Sequence, residues 1–142
     1  MKIVITSGYY NPLHVGHIEY LEKAKELGDR HIAIINSDLQ VQLKGSVTFM
    51  NESDRMKIVR ALRCVDEVFL SIDKDKSQCE SIKFIAKNFW TGNELIFAKG
   101  GDRLSYEIPE RLICKELGIK IIDGLGEKIQ SSSELVKRAK GI

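Results

Sequence analysis

The chain lacks any apolar stretch that approaches the about 20 residues needed to cross a bilayer. Its amino-terminal run, Met1 to Ile5, stops at Thr6, Ser7 and Gly8 before it is long enough for the core of a signal peptide. We therefore expect a cytoplasmic protein without a membrane partner. An excess of one charge is also missing, because 22 Lys and Arg residues face 20 Asp and Glu residues, a net charge of +2. This balance disfavours a protein that coats nucleic acid or anionic lipid, so any anion site must be local.

Cysteine is sparse as well. The three residues, Cys64, Cys79 and Cys114, are an odd number and lack the spacing typical of metal ligands. We expect them to be reduced thiols inside or near the core.

The length of 142 residues fits one compact domain, residues 1–142, because two separate cores would each be too small to bury much apolar surface. The composition, 43% hydrophobic and 30% charged, is that of an ordinary globular protein. Collagen-like, coiled-coil and low-complexity chains have strongly biased compositions and are excluded.

Short β-branched runs alternate with segments of helical periodicity along the whole chain, which is typical of β-α units stacked on a parallel sheet. The pattern predicts strands over 2–6, 31–36, 67–72, 94–98 and 119–122. It predicts helices over 18–27, 52–63, 77–87, 108–117 and 131–138, with a loop over 37–48. We infer an α/β fold with a single Rossmann-like, doubly wound, five-stranded parallel sheet.

Ligands of such a sheet bind beyond the carboxyl ends of the strands, where the strand order reverses. The loops at 7–14, 37–50, 99–106 and 123–131 follow predicted strands. The first of them leads into His14, Val15, Gly16 and His17 at a predicted helix start. Both imidazoles can lie on one side, beside the unpaired N–H groups of the first helical turn. Such a helix start attracts anions, and Gly16 would let a phosphate approach the backbone closely.

Other interpretations of this motif are weaker. The histidines could be unrelated polar residues near a helix cap, but an H-x-G-H string directly after a first strand is rarely a coincidence. A zinc site would need a third ligand. The remaining histidine, His31, opens a predicted strand on the opposite edge, and we expect it to be a surface or core residue. No metal site on the protein is predicted.

The segment GYYNPLHVGH resembles the signature of the nucleotidyltransferases of the cytidylyltransferase-like superfamily. Residues 4–29 resemble glycerol-3-phosphate cytidylyltransferases. Later segments resemble the adenylyltransferase that activates heptose 1-phosphate, namely 36–38, 43–45, Asn51 with Arg55, 61–62 with 65–66, and 99–102. The serines at 131–133 stand where the family has its serine-threonine signature. The resemblance implies the fold of this superfamily and an enzyme that joins an NTP to a phosphorylated small molecule with release of pyrophosphate.

The implied reaction brings two anions together, so catalysis must consist mostly of positioning and charge neutralisation. In the family, two histidines bind the triphosphate and stabilise the pentacoordinate state, and these roles pass to His14 and His17. Neighbouring phosphates are expected to favour the protonated imidazoles.

Two more catalytic residues follow from the resemblance. Lys44, in the predicted loop after the second strand, corresponds to a lysine that closes over the phosphates. Arg55, in the first turn of the second predicted helix, corresponds to an arginine that reaches the β- and γ-phosphates or the substrate. A solvated surface charge is the plain alternative for Lys44, and an ion pair with Glu52 or Asp54 is the alternative for Arg55.

The expected nucleotide contacts lie in the same loops. Asp102 follows two glycines after a strand, a position suited to a ribose hydroxyl, although a turn aspartate is the alternative. The serines at 131–133 could bond the base or a phosphate, or only cap the last helix. The predicted nucleotide-binding residues are Gly8, Tyr9, Tyr10, Gly16, Gly101, Asp102, Ser131 and Ser132.

The chain departs from the family pattern in three places. Tyr9 stands where many relatives have a small Thr or Cys, so we expect a narrower pocket or one that stacks an aromatic ring. Asn11 and Pro12 replace a frequent aspartate. Residues 126–131 lack the arginine-threonine pair of the glycerol-3-phosphate enzymes, which, together with the KGGD segment at 99–102, favours ATP over CTP.

The sequence thus predicts a nucleotidyltransferase that joins ATP to a phosphorylated metabolite such as a sugar phosphate, with Mg²⁺ bridging the departing phosphates. A CTP-dependent enzyme acting on the phosphate of a polyol, an alcohol or a phosphonate stays open. So does a nucleotide-binding sensor that has lost turnover. The family is often dimeric, and a homodimer is an open expectation for this chain.

Overall fold

The structure is a computed structural model that describes residues 1–89, 91–100 and 108–125. Within these ranges the strands are β1 (Lys2–Gly8), β2 (Arg30–Ile35), β3 (Glu67–Leu70), β4 (Glu94–Gly100) and β5 (Lys120–Leu125). The helices are α1 (Val15–Lys25), α2 (Asp38–Lys44), α3 (Glu52–Arg60), α4 (Cys79–Phe89) and α5 (Arg111–Leu117). The helix predicted over 131–138 lies outside the described residues. In the described part of the chain, every helix is too short or too polar to cross a membrane.

The five strands form one sheet in the order β3-β2-β1-β4-β5, and all neighbouring pairs are parallel. The central strand β1 sets Ile5 opposite Ile32 of β2 and opposite Phe97 of β4. The chain moves outward from β1 to β3 and then returns to the other side of β1. The strand order therefore reverses between β1 and β4, which confirms the predicted doubly wound, five-stranded parallel sheet.

Both faces of the sheet are covered, because successive side chains of a strand point in opposite directions. Ile32 and Ile34 of β2 belong to one core cluster, and Ala33 and Ile35 belong to another. Helices α4 and α5 complete the first cluster with Ile82, Ile85, Ala86 and Cys114. Helices α1 and α3 complete the second with Tyr20, Leu21 and Val59. The sheet is thus held between two helical layers, with its strand ends free to carry loops.

Helix α2 occupies a segment for which a loop was predicted, so that prediction is wrong. Ser37 and Gln40 form a reciprocal capping box, in which each side chain accepts a hydrogen bond from the backbone N–H of the other residue. Gly45 ends the helix in the left-handed conformation, at φ 82°. The seven-residue helix has too few turns to show a periodicity, but its two end signals are present in the sequence.

The histidine outside the H-x-G-H motif is a core residue. His31 is buried in β2, where its Nε2 lies 2.8 Å from Thr6 Oγ1 and its Nδ1 lies 2.7 Å from the carbonyl oxygen of Cys64. The expectation of an edge position is wrong, because β2 lies inside the sheet.

The three cysteines carry free thiols, as predicted, and they lie in or near the core. Cys114 is buried, whereas Cys64 and Cys79 are half-buried.

The loop between β3 and α4 is anchored by a buried carboxylate. Asp73 accepts hydrogen bonds from the backbone N–H groups of Glu80 (2.8 Å) and Ser81 (2.9 Å), at the start of α4. The hydroxyl of Ser81 donates to the same carboxylate at 2.6 Å. Asp73 therefore satisfies N–H groups that the helix itself leaves unpaired.

Asp73→Ala is expected to lower the free energy of unfolding by about 2 kcal/mol, because it leaves buried donors at the start of α4 without a partner. Lys74→Ala, an exposed change in the same loop, is the control and should stay within about 0.5 kcal/mol of the wild type. Urea denaturation followed by circular dichroism measures both values. Equal stability of the two variants would contradict the anchoring role.

Candidate active site

The loop after β1 begins with a tight contact between Gly8 and Tyr10. Tyr10 adopts φ 51°, and its ring turns into the core, where it is 1% exposed. A Cβ on Gly8 would lie 2.5 Å from the Cζ atom of this ring, so the contact requires glycine. The ring also meets His17 edge-on, with centroids 5.0 Å apart. The side chain of Tyr10 thus packs against His17, and nucleotide binding by Tyr10 stays a prediction.

The two histidines of the H-x-G-H motif cap helix α1 for each other. The His14 Nδ1 atom accepts a hydrogen bond from the N–H of Gly16, at 3.1 Å. The His17 Nδ1 atom accepts one from the N–H of His14, also at 3.1 Å. The rings stack with centroids 3.7 Å apart and an interplanar angle of 22°. This is a capping box in which imidazoles replace the usual hydroxyl and carboxylate.

The capping bonds determine where each imidazole carries its proton. A neutral ring whose Nδ1 accepts a hydrogen bond must carry its proton on Nε2. Both Nε2–H groups are therefore donors, and the Nε2 of His14 is buried without a hydrogen-bond partner among the described residues. Two adjacent N–H donors of this kind suit the oxygens of a polyphosphate.

The N–H groups of the first turn of α1 are used inside the protein. The N–H of Gly16 bonds to His14 Nδ1, and the N–H of His17 reaches the carbonyl oxygen of His14 at 3.0 Å. The expectation of unpaired N–H groups is wrong for these two residues. At these two positions the helix start offers imidazole donors rather than backbone donors.

Burial keeps both imidazoles neutral. Burial, with smaller contributions from the neighbouring His14 and Lys44, lowers the pKa of His17 to about 3. Burial also lowers the pKa of His14. Protonation of either Nδ1 would remove a hydrogen-bond acceptor from the cap. The expected favouring of protonated imidazoles by phosphate stays a prediction.

Lys44 is the last residue of α2 and lies beside the same loop. Its Nζ atom is 4.4 Å from the centroid of the Tyr9 ring, a cation-π contact. The narrower or aromatic-stacking pocket expected at Tyr9 stays a prediction. Lys44 also lowers the pKa of His17, so the positive charge of Lys44 acts electrostatically on the histidine pair.

Arg55 lies inside the protein and is 0% exposed. Its carboxylate partner is Asp38 of α2, at 2.7 Å, and among the described residues neither Glu52 nor Asp54 forms the ion pair that was the alternative expectation. The guanidinium also donates to the backbone carbonyls of Met50 (2.9 Å), Tyr9 (2.8 Å) and Asn36 (2.6 Å).

Arg55 thereby joins the segments that follow β1 and β2 to helices α2 and α3. Contact of Arg55 with a phosphate stays a prediction, and it would require some of these hydrogen bonds to be exchanged.

Asn11 ties the histidine loop to the segment before α3. Its side-chain oxygen accepts from the N–H groups of Phe49 (2.8 Å) and Met50 (2.9 Å), and its amide donates to the carbonyl oxygen of Val47 at 2.7 Å. The departure from the family aspartate at this position thus has a structural role, because only an amide both donates and accepts here.

A cavity of about 440 Å³ opens at the carboxyl ends of β1, β2 and β4, beside the histidine loop. It lies where the strand order reverses, as expected for a doubly wound sheet. Its walls are Ser7, Gly8, Tyr9, Asn36, Lys44, Lys76, Gln78, Lys99, Pro109 and Glu110. Three lysines and one carboxylate make the cavity attractive to an anion.

The structure brings together only part of the predicted site. Gly8, Tyr9 and Lys44 line the cavity, and His14, Gly16 and His17 start the adjacent helix. Four predicted nucleotide-binding residues, Gly101, Asp102, Ser131 and Ser132, lie outside the described residues.

Sequence reasoning missed Lys76, Gln78, Pro109 and Glu110. The loop after β3 also follows a strand, so the rule that selected the other loops could have found Lys76 and Gln78. Pro109 and Glu110 precede α5, and no signal in the sequence relates them to the ends of β1 and β2.

Comparison with known proteins agrees with this geometry. The family model described as cytidylyltransferase-like matches residues 5–138. The chain belongs to the cytidylyltransferase-like family. This confirms the superfamily that the H-x-G-H segment indicated.

Similar curated proteins are the bifunctional proteins HldE of Nitratiruptor sp., 36% identical over 139 residues, and of Wolinella succinogenes, 34% identical over 142 residues. The matches cover 96% and 99% of this chain but 27% of each relative. The chain therefore spans about a quarter of the length of these proteins. The crystal structure of the lipopolysaccharide core biosynthesis protein from Thermoplasma volcanium superposes with a TM-score of 0.68 at 22% identity, covering 89% of this chain and 98% of that one. This similarity supports the fold.

Arg55→Met is expected to lower the free energy of unfolding by about 3 kcal/mol, since it leaves buried carbonyl groups without a donor. Arg60→Met, an exposed change on the same helix, should have an effect within about 0.5 kcal/mol. Chemical denaturation of both variants and the wild type provides the comparison. If the two arginine variants were equally stable, Arg55 would not hold the loops together.

The depressed pKa of His17 predicts a stability that falls with acid. The unfolded chain binds a proton at His17 near pH 6.5, whereas the folded protein resists protonation down to about pH 3. The stabilisation is therefore fully present above pH 6.5 and is lost as the pH falls from there towards 3, by up to about 1.4 kcal/mol per pH unit. The other titrating groups are present in both the wild type and His17→Asn. The free energy of unfolding, measured by chemical denaturation at a series of pH values, should therefore fall less steeply with acid in the variant. Identical dependence of this free energy on pH in the two proteins would refute this interpretation.

Proposed function

We propose that this protein is a nucleotidyltransferase that joins ATP to a phosphorylated sugar, with a heptose phosphate as the first choice, and releases pyrophosphate. The observation that carries this proposal is the reciprocal capping of His14 and His17, which makes both Nε2–H groups hydrogen-bond donors. The family match and the relatives support the class of reaction.

In the proposed reaction, an oxygen of the sugar phosphate attacks the α-phosphorus of ATP. A new bond forms between that oxygen and the α-phosphorus, the bond from the α-phosphorus to the bridging oxygen breaks, and pyrophosphate leaves. The barrier arises mainly from bringing two anions together, so the protein must position them and neutralise charge. The imidazole N–H groups would bind phosphate oxygens, and Lys44 would supply positive charge beside them.

Neutral imidazoles suit this task. They donate hydrogen bonds through Nε2 while Nδ1 holds the ring in place, so the donors are positioned before the substrate arrives. A protonated ring would lose its backbone partner at Nδ1. Positioning of this kind lowers the cost of reorganisation during the reaction.

We propose that Mg²⁺ enters with the triphosphate. In the described ranges, no group of three or more His, Cys, Asp or Glu side chains could hold a metal ion. Mg²⁺ in phosphoryl-transfer sites is held largely by substrate phosphates and water, with few protein ligands. The ion would add charge neutralisation at the departing phosphates.

The choice of ATP and a heptose phosphate rests on the relatives and on the sequence. The segments at 36–38, 43–45 and 99–102 resemble the adenylyltransferase that activates heptose 1-phosphate, and this chain aligns with about a quarter of a bifunctional protein HldE. The KGGD segment at 99–102 favours the same choice. The cytoplasmic location and a homodimer stay predictions from the sequence.

The activity is tested by incubating the protein with Mg²⁺, heptose 1-phosphate or glycerol 3-phosphate, and either ATP or CTP. We expect pyrophosphate release and an ADP-sugar by mass spectrometry only with ATP and heptose 1-phosphate. His14→Asn keeps a residue that can cap the helix but removes the Nε2–H donor. It should lower kcat by roughly a hundredfold or more, with unchanged thermal stability. His17→Ala should also lose activity.

A product formed with CTP and an acceptor but not with ATP would contradict the proposal that ATP is the nucleotide substrate. Thermal stabilisation by ATP without any product would support the nucleotide-binding sensor instead. Full activity of His14→Asn would refute the role of the histidine pair.

A further inference from the structure

We infer that Gln78 and Glu110, in the wall of the cavity beside the histidine pair, recognise hydroxyl groups of an acceptor bound there. This inference rests on the proposed function, because it assigns to the same site a place for the second substrate. The juxtaposition that carries it is a pair of buried, unpartnered hydrogen-bond acceptors in a cavity that also holds three lysines.

The cavity lies next to the groups expected to hold the nucleotide phosphates. Gly8 and Tyr9 line it and continue directly into the loop that leads to His14. Lys44 lines it as well and influences the pKa of His17. A phosphorylated compound in the cavity would therefore lie beside a polyphosphate bound at the imidazoles, as attack on the α-phosphorus requires.

The two acceptor atoms are buried without hydrogen-bond donors. Gln78 and Glu110 are each 3% exposed. Among the described residues, no donor reaches the Oε1 atom of Gln78 or the Oε2 atom of Glu110. A buried acceptor without a donor is costly, and natural proteins seldom keep one without a reason. A ligand hydroxyl is a donor that would pair with each of them.

Both side chains stand on well-anchored backbone. The carbonyl oxygen of Gln78 accepts from the N–H of Ile82, at 2.9 Å, at the start of α4. The side chain of Gln40 donates to the preceding segment at the carbonyl oxygens of Asp75 (2.8 Å) and Ser77 (3.0 Å). The backbone that carries the Gln78 side chain is thus held in place before a ligand binds.

Glu110 occupies the N-cap position of α5, yet its side chain makes no capping hydrogen bond. Its backbone carbonyl accepts from the N–H of Cys114 at 3.0 Å, so the residue is held by the helix. The carboxylate is therefore not explained by capping. Its place in the cavity wall gives it a ligand to bind instead.

The charges of the cavity favour a phosphorylated polyhydroxy compound. Lys76 and Lys99 supply positive charge for a phosphate, while Gln78 and Glu110 supply acceptors for hydroxyl groups. A volume of about 440 Å³ lies in the range of small-molecule pockets and accommodates a sugar phosphate. An ammonium group would also suit Glu110, but the neutral amide of Gln78 and the three lysines favour hydroxyl groups over a cation.

The inference is tested by calorimetric binding to the nucleotide-free protein, with inorganic phosphate, mannose 1-phosphate and ethanolamine phosphate as probes. Mannose 1-phosphate should bind roughly tenfold or more tightly than either of the other two, because its hydroxyl groups pair with both acceptors. Equal affinities, or a preference for ethanolamine phosphate, would overturn the assignment.

Gln78→Met and Glu110→Met replace each acceptor by an apolar side chain of similar size. Each variant should bind mannose 1-phosphate roughly tenfold more weakly and inorganic phosphate with unchanged affinity. Each should also be at least as stable to heat as the wild type, because an unpaired buried acceptor is removed. Wild-type affinity for mannose 1-phosphate in both variants would refute the inference. A large drop in thermal stability would show a purely structural role and would refute it as well.

Lys76→Met should lower the affinity for all three phosphate-containing probes. Lys74→Met, at an exposed position in the same loop, is the matched control and should leave these affinities unchanged. An equal effect of the two changes would contradict the phosphate role of the cavity.

Thermal stabilisation by ATP, measured in parallel, reports on the proposed function separately. If mannose 1-phosphate binds preferentially but ATP does not stabilise the protein, the roles of Gln78 and Glu110 stand and the proposed nucleotidyltransferase activity is contradicted. If ATP stabilises the protein but mannose 1-phosphate binds no better than the other probes, the proposed activity stands and the roles of Gln78 and Glu110 are contradicted.

Discussion

The candidate site depends on one constraint, the need of a helix start to satisfy its backbone N–H groups. Helix α1 meets this need with two imidazoles, so that His14 and His17 are ordered by the backbone they cap. The same hydrogen bonds place a proton on Nε2 of each ring and exclude a proton from Nδ1. Helix capping and the tautomer of both imidazoles are therefore one property of the H-x-G-H segment rather than two.

Buried polar side chains of the surrounding structure hold this pair and its loop in place. The ring of Tyr10 packs against His17 and requires glycine at position 8. Arg55 donates to the backbone carbonyls of Tyr9 and Asn36 and thereby holds two residues that line the cavity. Such a rigid surrounding lets a site bind its ligands without first being ordered by them.

Much of the fold could be predicted because the signals are local. The five strands are short apolar runs, and the doubly wound sheet follows from their alternation with helices. Helix α2 was missed although Ser37, Gln40 and Gly45 mark both of its ends, because the segment between them is too short to show a period. The histidine pair was found for a similar reason, since its members are close in sequence.

Residue types and short spacings alone determined the family, the doubly wound parallel sheet and the identity of the imidazole pair. Only the tertiary structure decided that Arg55 is enclosed by carbonyl groups from separate segments, and that Gln78 and Glu110, 32 positions apart, share one cavity. The physical reason is that burial and unpaired hydrogen-bonding atoms depend on neighbours distant in sequence. A pattern read along the chain carries no record of such neighbours until the sheet brings the loops together.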